Sequence, residues 1–228
     1  MRMTPQKNKS RRRDHGEKSR TKNKTLYNVA RLESRLEQIP ESFRSLFKNA
    51  YISTRKLCMK SQSENAPEGL FELIDRLCDA KIESLQPACA SGCAWCCQQD
   101  VLIAPFEFAT IRDAIDNANL TQIIRDKLKN RTDEAYIETE GARMPVSPCP
   151  LLENDRCLIY PARPIACRTQ FSMDSGQCHR AYEAARTGGG DSTYQRLGEP
   201  AVIGIAAREA IQTGKRIFLR QALRDHLT

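Results

Sequence analysis

The chain has 228 residues, enough for one sizeable core or a core with a small appendage, and a formal net charge of +8. Ten of its 36 Lys and Arg, but only Asp14 and Glu17 of its 28 acidic residues, lie in the first 24 positions, so the remainder is balanced. A balanced remainder argues against a nucleic-acid-binding fold as such. With no apolar run of bilayer length, and with charge where an export signal needs an apolar region, a soluble cytoplasmic protein without a membrane span is expected.

The opening "MRMTPQKNKSRRRDHGEKSRTKNK" has almost no apolar side chains to offset its ordering entropy, so 1–24 reads as a disordered basic tail and 25–228 as a helical domain. Such a tail either makes nonspecific, salt-sensitive contact with nucleic acid or anionic lipid, or serves as a solubilising extension. Leu26, Val29, Leu32, Leu36 and Ile39 recur at helical spacing and predict a helix over 26–39, ended by Pro40. A second helix is predicted over 41–60, with Phe43, Leu46, Phe47, Ala50, Leu57 and Cys58 on its apolar face. A third is predicted from Pro67 to Leu85, through Leu70, Phe71, Ile74, Leu77, Cys78 and Ile82. Cys58 and Cys78 thus fall on apolar faces, where a thiol behaves as a small hydrophobe.

Further along, "VLIAP" (101–105) reads as a short buried strand, and Pro105 opens a helix that turns Phe108, Ile111 and Ile115 inward. Another helix is predicted over 119–138 and a loop over "EGARMPVSPCP" (140–150). "CPLLENDRCLIY" (149–160) reads as a hairpin whose polar turn spans Glu153 to Arg156. "PARPIACR" (161–168) reads as a proline-stiffened loop, 178–186 as a short helix and "TGGGD" (187–191) as a flexible connection. Residues 200–226 supply one long helix or two, with Val202, Ile205, Ile211, Ile217, Phe218 and Leu223 as candidate core. No internal repeat and no β/α alternation is visible. The expected class is mainly α, with helices packed around an irregular cysteine-rich metal-binding core that includes a short hairpin.

The chemistry is concentrated in eight of the ten cysteines. "CASGCAWCC" places Cys89, Cys93, Cys96 and Cys97 within nine positions, and Cys149, Cys157, Cys167 and Cys178 follow at separations of eight, ten and eleven positions. Pairs two to four residues apart suit a tight turn that aims both sulfurs at one ion, and Ala90, Ser91, Gly92 and Ala94 allow the backbone to turn closely. In a reducing compartment such clustering favours metal ligation over disulfides. Adjacent Cys96 and Cys97 point in different directions, which makes them awkward ligands for one ion; two sites, or one polynuclear cluster and a second site, remain open, as does one site with the other thiols packed. A tetrathiolate zinc carries a net negative charge, so Arg156, Arg163 and Arg168 are candidate charge partners, or else exposed salt-bridge formers, and Trp95 is either a wall against water or a core anchor. His179 beside Cys178 is a bystander with eight thiols available. No paired carboxylates, Ser-His-Asp set or phosphate loop stands out.

The run "CASGCAWCC", followed by "CPLLENDRCLIYPARPIACR" and Cys178, resembles the zinc- or iron-chelating CxxCxxCC family, the YkgJ-type cysteine-cluster proteins. The resemblance spans about 86–185 and implies a metal-chelating domain whose ligands are Cys89, Cys93, Cys96, Cys97, Cys149, Cys157, Cys167 and Cys178. Its function would be structural or regulatory, with zinc preferred over an iron–sulfur cluster because neighbouring cysteines close tetrahedral sites. A flagellin lysine N-methylase shares this type of domain, and Cys89-x3-Cys93-x2-Cys96 matches the radical S-adenosylmethionine spacing. The alternative is therefore an iron–sulfur-dependent protein-modifying enzyme such as a lysine N-methyltransferase, against which stand the absent β/α alternation and four further cysteines. A second alternative is an RNA-associated accessory protein that binds through residues 1–24.

Overall fold

The computed structural model describes residues 32–60, 66–129, 136–139, 142–145, 147–187, 198–211 and 216–227. The predicted basic tail and residues 188–191 lie outside them. In chain order the described elements are α1 (32–38), α2 (Glu41–Lys60), α3 (Leu70–Ile82), a 3-10 turn (Trp95–Gln98), β1 (Leu102–Ile103), α4 (Pro105–Asn117) and α5 (Thr121–Lys129). Then come β2 (Tyr136–Thr139), β3 (Ala142–Pro145), β4 (Leu152–Glu153), β5 (Arg156–Cys157), a 3-10 turn (Tyr160–Ala162), α6 (Ile165–Arg168), α7 (Ser175–Thr187), α8 (Gly198–Ile211), β6 (Ile217–Phe218) and α9 (Leu219–Leu227). The architecture is mainly α-helical, and no helix among the described residues is long and apolar enough to cross a membrane.

Two apolar clusters organise these elements. In the first, α2 and α3 pack on α8, burying Phe47, Ala50, Leu70, Ile74, Ile203 and Ala207 among others. Burying each large aliphatic side chain contributes about 1.5–3 kcal/mol. The small residues of α8 allow close approach: a Cβ at Gly204 would lie 2.5 Å from Thr169 Oγ1, so a larger residue there would force the Thr169 side chain, at the end of α6, to shift. In the second cluster, Ile111 and Ile115 of α4, Ile124 and Leu128 of α5 and Leu223 and Leu227 of α9 meet Leu151 and Ile159. The cysteine-bearing chain from 149 to 168 runs between the two, since Leu151 and Ile159 belong to one cluster and Ile165 to the other.

The helix over 41–60 and the start of α4 at Pro105 stand as predicted, and Cys78 is buried in the first cluster. Several expectations are corrected. Helix α3 begins at Leu70 rather than Pro67, because Gly69 takes a left-handed φ of 75° at the cap. "VLIAP" contributes only the two-residue β1, antiparallel to β6, with Ile103 buried and Leu102 exposed. The helix predicted over 119–138 ends at Lys129, and 136–139 pairs as a strand with 142–145, within the predicted loop. Tyr136, Ile137 and Thr139 are aromatic or β-branched, types that favour an extended, paired backbone. "PARPIACR" is a 3-10 turn and a short helix, with the prolines at their starts, rather than loop. The 200–226 region is two helices separated by β6; Ile205 and Phe218, expected in the core, are exposed because α8 and β6 turn those positions outward.

Candidate metal centre

The first cysteine segment is held against α7. Ala88 N–H donates to the Ser172 carbonyl at 2.9 Å, and Ser172 N–H donates to Cys89 Sγ at 3.3 Å. Gly92, at φ 91°, lets the chain double back, and Cys93 N–H reaches the Ala90 carbonyl at 3.0 Å. The 3-10 turn follows, in which successive side chains project about 120° apart, so Cys96 and Cys97 face different directions. Trp95 stacks on His179 with ring centroids 4.2 Å apart and leans on Tyr182 at 5.6 Å. Both partners ride on α7, which also carries Cys178.

The second segment joins the first at one backbone bond: Cys149 N–H donates to the Cys97 carbonyl at 2.7 Å. From there β4 and β5 form the predicted hairpin, with Leu152 opposite Cys157. Its turn is Asn154–Asp155, both at positive φ (48° and 58°), the two-residue geometry whose twist matches that of the strands. Cys149 and Cys157 pack against the second apolar cluster. Cys167 lies on α6, whose first N–H, that of Ile165, donates to Glu107 Oε1 at 2.8 Å, while Ala104 N–H donates to Oε2 at 2.8 Å. The buried Glu107 carboxylate therefore ties the start of α4 to the start of α6. Burial pushes that carboxyl up from its ordinary value, and the charge of Arg208 and the two N–H groups pull it back.

The eight clustered cysteines are free thiols, and burial and neighbouring sulfurs shift several of them upward. The Cys97 thiol is raised well above its ordinary range, first by the hydrogen bond it shares with Cys96 as donor, then by burial and by Cys96, Cys149 and Cys167. Burial likewise lifts Cys167, with Cys149, Cys96 and Cys157 adding to it. Burial lifts Cys157 too, opposed by an Ile159 backbone hydrogen bond and the Arg163 charge. Around Cys89 burial raises the thiol, the Ser172 N–H lowers it, and Cys93, Cys96 and Cys178 raise it again. Gathered neutral thiols of this kind oppose one another's ionisation; a bound cation reverses that balance, because metal coordination deprotonates a thiol. The donor set, eight soft sulfurs with a backbone N–H aimed at one of them, fits zinc or iron. Among the described residues no group of three Cys, His, Asp or Glu side chains is already arranged to hold an ion.

The candidate charge partners are placed differently from one another. Arg156 is exposed on the hairpin. Arg163 lies over the Tyr160 ring at 3.8 Å, pairs with Asp75 at 3.6 Å and lowers the Cys157 thiol. Arg168 is buried: its guanidinium donates to Asp75, to the Pro161 carbonyl and, at 2.8 Å, to the Arg163 carbonyl, and stacks on Phe71. It braces the chain around Cys167 against α3. Arg220 of α9 makes a similar brace, donating to Asp100 Oδ1 at 2.9 Å and to the Ser147 carbonyl, next to Cys97 and Cys149 respectively. Sequence reading missed Asp75, Asp100, Glu107, Ser172 and Arg220, since a lone charged residue far along the chain carries no spacing signal that ties it to a cysteine.

Residues 88–187, a little under half of the chain, match the family model CxxCxxCC, described as a "putative zinc- or iron-chelating domain". The match covers all eight clustered cysteines and excludes Cys58 and Cys78. No curated protein and no solved structure matches the chain. The thiol-rich region, from just before Cys89 to the end of α7, is thus similar to the CxxCxxCC domain, and the chain carries helices on either side of it.

Proposed function

We propose that this protein is a metal chelator that holds zinc, in preference to iron, through Cys89, Cys93, Cys96, Cys97, Cys149, Cys157, Cys167 and Cys178, in a structural or regulatory role. The observation that supports this reading is the 2.7 Å hydrogen bond from Cys149 N–H to the Cys97 carbonyl, which brings together two thiol-bearing segments distant in sequence. Bound metal would supply the positive charge that lets buried sulfurs ionise, and its binding energy would add to folding energy. Arg163 then serves as a charge partner near Cys157, Trp95 shields the first segment, and the remaining side chains hold the two segments in register. The irregular, non-barrel architecture favours this reading over the enzymatic one.

The test is anaerobic purification of the full chain followed by elemental analysis and an absorption spectrum. A colourless protein that retains zinc is expected. A brown protein containing iron and sulfide would overturn the choice of zinc, and a protein that retains no metal and gains no thermal stability from added zinc or ferrous iron would overturn chelation itself.

A further inference from the structure

We infer that Arg220 of α9, a residue outside the family-matched segment, is a positioning residue for the thiol cluster: through Asp100 and Ser147 it holds the stretches bearing Cys97 and Cys149 in register for a bound ion. The inference rests on the chelation reading and adds to it a control of metal affinity exerted from α9.

Two clasps close the stretches into a small ring. At one end Cys149 N–H donates to the Cys97 carbonyl at 2.7 Å. At the other, Arg220 Nε donates to Asp100 Oδ1 at 2.9 Å, while a second nitrogen of the same guanidinium donates to the Ser147 carbonyl. A single backbone hydrogen bond leaves two stretches free to pivot about it; the second clasp removes that freedom. Arginine suits the task, because its planar fork fixes the directions of several donors at once. Arg220 is itself held in place. Leu219 N–H donates to the Val101 carbonyl at 2.8 Å, β6 pairs with β1, and Arg125 Nε donates to the Leu227 carbonyl at 2.7 Å, so α9 is anchored at both ends. Between these anchors Leu223 packs in the second apolar cluster with Leu151 and Ile159, which flank the β4–β5 hairpin. The Arg220 and Asp100 side chains are only 4% and 9% exposed, so water competes little for the clasp. Metal–ligand distances tolerate errors of only about 0.2 Å, so the relative placement of the two backbones bears directly on affinity.

The test pairs zinc affinity with the reactivity of individual thiols in the full chain. By competition with a chromophoric chelator, Arg220→Met should bind zinc at least ~10-fold more weakly than the wild type, and Arg220→Lys, which keeps the charge without the fork, should fall between them. Phe47→Ala, which weakens the first apolar cluster rather than the clasp, should keep wild-type affinity at a temperature where all variants retain their helical circular dichroism. In the reduced, metal-free chains, iodoacetamide labelling resolved by mass spectrometry should rise several-fold at Cys97 and Cys149 in the Arg220 variants, with Cys78 as protected as before. Unchanged zinc affinity in Arg220→Met, an equal loss in Phe47→Ala, or labelling that rises equally at Cys78 overturns the positioning role. Should Arg220→Met fail to fold, Arg220→Lys decides by the same readouts. Wild-type protein that binds no zinc would remove the chelation reading, and the labelling pattern would then decide alone whether Arg220 holds the two stretches.

Discussion

Arg220 on the last helix reaches Asp100 with its Nε at 2.9 Å and the Ser147 carbonyl with another nitrogen, so one buried guanidinium holds the chain three residues after Cys97 to the chain two residues before Cys149. Both partners of the pair are nearly excluded from solvent, at 4% and 9% exposure, which places the pair where charge–charge attraction is weakly screened. The bracing residue lies beyond the family-matched segment, so a flanking helix holds the chain near both cysteine segments.

Replacing Arg220 by Met should therefore cost about 3 kcal/mol of stability, because Asp100 is left as a buried, unpaired carboxylate. Asp100→Asn in the same background should recover part of the loss. Urea unfolding of the two single variants and the double variant measures this directly, and strictly additive effects would show that the pair is not coupled.

Arg168 makes an analogous brace on the other side, joining Asp75 of α3 to the carbonyls of Pro161 and Arg163. Lysine offers a point charge in place of a planar fork and cannot reach all three acceptors, so Arg168→Lys should lower stability by about 2–3 kcal/mol. An unchanged urea midpoint for that variant would argue that the fork geometry is not required.

Gly204 tests the contact between α8 and the end of α6. Alanine is the better helix former by about 1 kcal/mol, yet its Cβ would sit 2.5 Å from Thr169 Oγ1, so Gly204→Ala should destabilise by a net of roughly 1–2 kcal/mol. Adding Thr169→Ala removes the colliding hydroxyl and should relieve part of the cost. If Gly204→Ala raises the melting temperature, the close approach does not exist.

Cys78 supplies a pH prediction separate from the metal chemistry. Burial chiefly, with the charges of Asp75 and Asp79, pushes its thiol from 9.0 up to about 12. Below pH 9 the thiol is neutral in both folded and unfolded chains. As pH rises from 9 towards 12 only the unfolded chain ionises, so this residue's contribution to stability is lost across that window. Cys78→Ala should cost about 1 kcal/mol at neutral pH through lost packing but give a flatter stability curve above pH 9. Parallel curves for the two proteins would be the contrary result.

Local periodicity and spacing were enough to read α2, the start of α4, the hairpin around Asn154–Asp155 and the burial of Cys78, because each depends on residues a few positions apart. The two cysteine segments were equally legible, since thiol clustering is written in the chain itself. Other features depended on distant partners. Tyr136–Thr139 became a strand by pairing with Ala142–Pro145, Ile205 and Phe218 lost their places in the core through the way α8 and β6 are laid down, and Arg168 met Asp75 rather than remaining a free charge beside the sulfurs. The sequence by itself determined which atoms bear the chemistry. Tertiary structure alone decided which of them meet, because a bond such as that from Cys149 to Cys97, or from Arg220 to Asp100, is formed by the packing of whole elements and leaves no pattern in the residues on either side of it.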